Sequence, residues 1–370
     1  MDRTFWIDLI RVVGALFVVA IHVCGRVAGG YAVDGVDAAT MGLAGLVSQC
    51  MLSMSSSVAV PLFVMVSGAL LLGRSDTMGT FYRKRFGKIL MPFLAWSCIF
   101  IVCLWLAYGQ FKDGTPITLV SSIGAILSGG VSGHFWFMYM LISLYLVAPF
   151  LSVFVRNAPK NMLAGFLSLW IIAVVVFPVV HNVVKETFGI ATISSDFRFE
   201  LVTLWVGFFV AGYVLKDVLI SPRWALIALA VWLCVSVASP VNAYLLRVYP
   251  DSSMACLFVL MKKYVLPMLA NDVTLTLLVF LALRSLGNLP TFAASRLGRL
   301  VVFTAPLTFG IYLCHHLVLT PVMGKLGLGV CDSWLIVLCA IPALTLIFFV
   351  IAAVGVYVIR RIKYLKFLAP

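Results

Sequence analysis

Six stretches without one charged residue constrain this chain more than any other feature. They are Ala38–Gly73, Ile89–Phe111, Asn161–Val184, Trp224–Leu246, Leu300–Gly324 and Ser333–Ile359. Each exceeds the ~20 residues that cross ~30 Å of hydrocarbon as a helix. With 63% hydrophobic and 11% charged residues, nearly all the mass lies in such segments. The expected fold is all-α, a polytopic transmembrane helix bundle, with residues 1–370 forming one integral-membrane domain. No gap between apolar runs has room for a separate soluble catalytic domain.

Hydropathy and flanking charge predict ten spans, at 5–27, 45–73, 88–110, 133–155, 162–184, 200–217, 222–243, 263–284, 302–323 and 333–360. The apolar stretch Thr115–Ser128 is short and reads as re-entrant or interfacial. With ten spans, one set of loops carries 17 basic residues and the opposite set 8. The positive-inside rule then puts both termini in the cytoplasm. The net charge of +13 is largely this topology signal. Its spread over short loops argues against nucleic acid as a partner. The first segment carries Asp8 and Arg11 and lacks a small-residue cleavage site, so it reads as a span rather than a cleaved signal.

The nine cysteines show no C-x-x-C pair and no ligand spacing, so they read as packing residues, with no metal site. No internal repeat, and no matched pair of broken helices of the transporter kind, is evident.

The first span places an acid, a guanidinium and an imidazole together. Arg11 and His22 lie eleven positions apart in WIDLIRVVGALFVVAIHVCGR. Eleven helical steps come to three turns plus ~20°, so both side chains share a stripe ~16 Å long. Asp8, three residues before Arg11, is placed to pair with it. Ionisable groups in lipid are costly and generally face a pathway or a site. A neutral imidazole in a dry cavity suits a general base for a hydroxyl nucleophile. Arg11 suits a phosphate or a developing oxyanion. The alternatives are a histidine that only bonds a neighbouring helix, and an arginine that snorkels.

Three further features stand out. Phe81–Phe93, FYRKRFGKILMPF, packs Arg83, Lys84, Arg85 and Lys88 into six positions at the entry to the third span. Topology needs one or two such residues; four also suit the phosphates of coenzyme A. Gly133–Pro149 begins GHFWFMY, with His134, Trp136 and Tyr139 at the opposite edge, either as belt aromatics or as a sugar-stacking rim. Thr308–Leu317, TFGIYLCHHL, sets Tyr312 and His315 on one helical face. His315 and His316 are adjacent, so at most one is expected to reach a shared cavity. Asp272 reads as an acid deep in the eighth span, either paired across the bundle or touching substrate. There is no Walker loop and no G-x-G-x-x-G, so nucleotide hydrolysis is not indicated.

Taken together, these motifs resemble the membrane acyltransferase-3 family of bacterial integral-membrane O-acyltransferases. That family opens with R-x10-H, here Arg11 to His22, after an Asp-containing turn, here Asp8. VPLFVMVSG with Ser67 and Gly68 is similar to its second-span motif, and RFGKILMPF from Arg85 to its basic third-span entry. HFWF at His134–Phe137 and TFGIYLCH at Thr308–His315 are similar to two later elements. Lys88 stands where the basic motif often has a second Arg, and Thr308 where Ser is usual.

The resemblance implies acyl transfer, usually of acetyl, from cytoplasmic acyl-CoA to a hydroxyl of an envelope glycan or lipid-linked sugar. It implies His22, Arg11 and Asp8 as catalytic residues and Arg83, Arg85 and Lys88 as the acyl-CoA site. His134, Trp136, Tyr139, Tyr312 and His315 would contact substrate. No tightly bound cofactor is expected, and the location would be the bacterial inner membrane. The length fits the short stand-alone subgroup, of the enterobacterial common antigen O-acetyltransferase type. The competing expectation is a transporter or glycan exporter without chemistry.

Overall fold

The computed structural model describes residues 5–27, 42–188, 200–326 and 333–370. Arg3 and Arg198, part of the loop-charge count, lie outside the described residues. The structure is helical throughout, with no β-strand among the described residues. In chain order the helices are α1 (Phe5–Val27), α2 (Leu43–Ser56), α3 (Ala59–Leu71), α4 (Met78–Tyr108), α5 (Leu119–Ser128), α6 (Trp136–Asn157), α7 (Lys160–Ile171) and α8 (Phe177–Phe188). They continue with α9 (Glu200–Leu215), α10 (Pro222–Val248), α11 (Ala255–Leu260), α12 (Leu266–Leu269), α13 (Asp272–Leu286), α14 (Pro290–Ala294), α15 (Arg296–Thr304), α16 (Thr308–Leu326) and α17 (Trp334–Arg361).

Among the described residues, eight stretches are helical, long and apolar enough to span a membrane. They fall on eight of the ten expected segments. The other two differ in form. The sixth expected span falls on α9, which the described residues show from Glu200 to Leu215. The eighth is a bent pair, Ala255–Leu269 and Asp272–Leu286, which meet at 49°. Hydropathy sees only the length of such a pair; Pro267 and the turn at Ala270 produce the bend. Asp272 is therefore not deep in a helix. It occupies the first turn of α13, after the Asn271 cap, where the helix dipole favours a carboxylate. Thr115–Ser128 yields α5, ten residues long, too short to span, with no buried side chain.

α1 is the central helix. It touches α2, α3, α13, α15, α16 and α17, and it buries Ile10, Val19, Val23 and Cys24 almost completely. The second span breaks at Ser57–Val58, between α2 and α3. Its freed Ser57 carbonyl accepts a 2.8 Å hydrogen bond from the buried Thr276 hydroxyl of α13. A break at this depth persists only when a neighbour satisfies the backbone in this way.

α3 and α9 press closest together. A Cβ built on Gly68 would sit 1.8 Å from the Phe209 carbonyl oxygen, and one on Gly212 1.9 Å from the Met65 carbonyl oxygen. Small residues let membrane helices approach until backbones touch, where dispersion rather than water exclusion drives association. This contact fixes α3, and with it Ser67, against the rest of the bundle.

Candidate functional site

Two compartments lie along α1. The first is a cavity of about 340 Å³ lined by residues of α1, α3, α4, α6, α16 and α17. Arg11, Arg85, Lys88 and Arg360 open into it, together with Ser67, Tyr145, Thr308, Phe309 and Tyr312. No acidic side chain lines it. Helical spacing explains which residues face it. On α4, Arg85, Lys88 and Ile89 are three and four apart and share a face. Arg83, two residues before Arg85, points ~200° away, is exposed, and does not line the cavity. Lys84 is turned outward and pairs with Asp76 at 3.2 Å.

On α6 the cavity face is Phe137, Leu141 and Tyr145, at steps of four. Tyr145 is buried and hydrogen-bonds Ser67. Arg360 is steadied by a 2.6 Å hydrogen bond from its guanidinium to the Pro306 carbonyl. The segment after α17 folds back under the cavity, where the Trp96 indole donates to the Leu368 carbonyl at 2.9 Å. The Arg85 Nε is buried and has no hydrogen-bond partner among the described residues.

The second compartment is a cluster of imidazoles. His22 of α1 lies with its ring centroid 5.2 Å from His315, 4.8 Å from His316 and 6.2 Å from His134. His134 is 5.0 Å from both His315 and His316. Four of the five histidines in the chain thus meet at one point. Both members of the adjacent pair on α16 take part, against the expectation that only one could. His22 sits between their two directions, so each reaches it from its own side. The cluster does not have the arrangement of a metal site: no group of three or more His, Cys, Asp or Glu among the described residues could hold an ion.

Hydrogen bonds set the rings. His315 Nδ1 faces the carbonyls of Ile311 and Tyr312 at 3.1 and 2.7 Å. His134 Nδ1 meets the Ser132 hydroxyl at 2.8 Å, and His316 Nδ1 meets that of Thr320 at 3.2 Å. Arg26 donates to the same Thr320 hydroxyl at 3.3 Å. The Nε2 atoms of His134 and His315 are buried with no hydrogen-bond partner among the described residues. Each such orphan costs about 1–3 kcal/mol, and native proteins carry few of them.

Tyr312 stands between the compartments. It lines the cavity, while its hydroxyl donates to the His134 carbonyl and its ring lies 5.7 Å from His134 and 5.1 Å from Phe137. The cavity therefore ends at Tyr312 and Phe137, and no histidine lines it.

Several expected site residues lie elsewhere. Trp136 is 47% exposed and packs on Trp205 of α9, one helical step away from the cavity face. Tyr139 turns to α5, where its hydroxyl donates to the Ile126 carbonyl, and its ring meets Phe93. Neither touches the cavity or the cluster. Asp8 and Arg11 interact electrostatically but do not close to an ion pair within 4.0 Å, as Lys84 and Asp76 do. Sequence reasoning left out Arg360, counted as a topology charge, and Tyr145. The steps of four from Phe137 on α6 would have found Tyr145.

The fold is that of a multi-pass membrane protein, and its basic cavity and buried imidazoles mark the place where chemistry can occur. Residues 4–356 match the family model described as an acyltransferase domain, Acyl_transf_3, and the chain belongs to that family of membrane acyltransferases. No curated protein and no solved structure matches the chain.

Proposed function

We propose that this protein moves an acyl group, acetyl, from cytoplasmic acyl-CoA to a hydroxyl of a cell-envelope glycan or glycolipid. One observation carries the reading. Arg11, Arg85, Lys88 and Arg360 converge on a cavity with no acidic side chain in its wall, and that cavity stops one side chain short of the imidazole cluster. Four cations with no acidic side chain beside them in the cavity wall suit the phosphates of coenzyme A, with Arg as a forked and Lys as a point donor. The pantetheine arm would then run toward Tyr312. His22, on the stripe of Arg11, is the general base for the acceptor hydroxyl, and Arg11 and Asp8 set the donor end of that stripe. Arg83 is left to the positive-inside signal.

In this scheme both termini are cytoplasmic and the bundle lies in the bacterial inner membrane. Acyl-CoA enters at the Arg85 end and the acceptor at the His22 end. Trp136 and Trp205 flank the acceptor side without reaching the imidazoles. Purified protein in detergent tests the reading directly. Coenzyme A should raise the unfolding temperature, and acetyl-CoA plus envelope glycan should release thiol. Absence of both effects would return the bundle to the transporter reading.

A further inference from the structure

We propose that His315 takes the acceptor proton from His22 and gives it to the departing thiolate, so that transfer across the membrane moves no net charge. The inference rests on the proposed function. If an acyl group leaves coenzyme A on one side and the acceptor proton leaves on the other, one positive charge crosses the field. A unit charge moved through 100 mV changes the transfer equilibrium ~50-fold. A proton carried back toward the donor cancels that charge.

The geometry points to His315 as the carrier. Backbone carbonyls only accept, so the Ile311 and Tyr312 carbonyls fix the His315 proton on Nδ1. Its Nε2 is then a bare lone pair, fully buried and without a partner among the described residues. When that atom is protonated, the two carbonyls strengthen their hold on the imidazolium. His22 is 5.2 Å away by ring centroids, and the Tyr312 ring, which walls the donor cavity, is 6.1 Å away.

The opposite exit is less favourable. His316 reaches Thr320, and Thr320 already receives the Arg26 guanidinium, so a proton leaving that way approaches a fixed cation. His134 faces His315 from the 3-10 turn just before α6, and Lys112 is the further cation within electrostatic range of His316. No carboxylate forms an ion pair with any of them among the described residues.

The balance is complete. The acceptor O–H and the thioester C–S bonds break, and the O–C bond of the ester forms. The C–S electron pair goes to sulfur, and, once the thioester has reached past the Tyr312 ring, the proton passes from the acceptor oxygen through His22 and His315 Nε2 to that sulfur. The products are ester and neutral thiol.

Right-side-out membrane vesicles containing the protein, loaded with radiolabelled acetyl-CoA, test this. Label in the vesicles' own envelope glycan is measured at 0 and −100 mV, set with potassium and valinomycin. Wild type should change less than about 2-fold between the two potentials. His315→Gln, with coenzyme A affinity intact, should be slower and should slow by a further factor of about ten or more at −100 mV. A ten-fold slowing of wild type at −100 mV overturns the inference, and that arm decides alone if the variant is inactive. A variant that keeps wild-type rate and potential independence also overturns it. If wild-type vesicles label no glycan, the proposed function itself has failed, and the inference falls with it.

Discussion

Arg11 and His22 share one stripe of α1 yet face different compartments: Arg11 the basic cavity, His22 the imidazole cluster. One helix thereby joins the basic cavity to the imidazole cluster, with Tyr312 as the partition between them.

His22→Ala should lower acyl transfer about 10²–10⁴-fold, the usual loss for a general base. His22 meets its neighbours through ring contacts and does not line the donor cavity, so coenzyme A binding and the unfolding temperature should stay near wild type. Transfer within a few-fold of wild type would remove His22 from the mechanism.

Arg85 and Arg83 should separate cleanly. Arg85→Ala removes a cavity cation and should raise the KM for acetyl-CoA at least ten-fold. Arg83→Ala removes an exposed one and should change it less than two-fold. Equal effects from the two would show that general positive potential, not the cavity, holds the donor.

Tyr312→Phe keeps the ring and deletes the bond to the His134 carbonyl, at a cost of about 1–3 kcal/mol for the orphaned acceptor. Thermal unfolding in detergent should show the drop. Tyr312→Ala should open the partition and let water in, so acetyl-CoA hydrolysis without acceptor should rise. Unchanged hydrolysis would mean that Tyr312 does not separate the compartments.

Gly212→Val should abolish folded protein. Its first side-chain carbon alone would overlap the Met65 carbonyl oxygen, and neither α3 nor α9 can move without losing the other contact at Gly68. Gly124→Ala on α5, where nothing lies within 4 Å, should leave yield and melting temperature unaltered. Size-exclusion profiles of both variants would decide.

The sequence by itself determined the membrane-spanning helical class, because uncharged runs of that length have few other stable states beside lipid. It also determined the pairing of Arg11 with His22 on one stripe, since helical geometry is local. The i, i+3 relation of Tyr312 and His315 was legible for the same reason.

Only the tertiary structure decided which residues meet. His134, His315 and His316 come from distant segments, and their convergence on His22 depends on how α16 packs against α1 and where the turn before α6 is placed. Trp136 and Tyr139 looked equivalent to His134 in the sequence. A rotation of ~100° per residue turns Trp136 to Trp205 and Tyr139 to α5. The bend before Asp272 was likewise hidden, because a hydropathy sum does not register backbone direction. Local periodicity specifies the face a residue occupies on its own helix. What that face meets is set by contacts between helices hundreds of residues apart, such as Thr276 with Ser57, and no sequence window contains both partners.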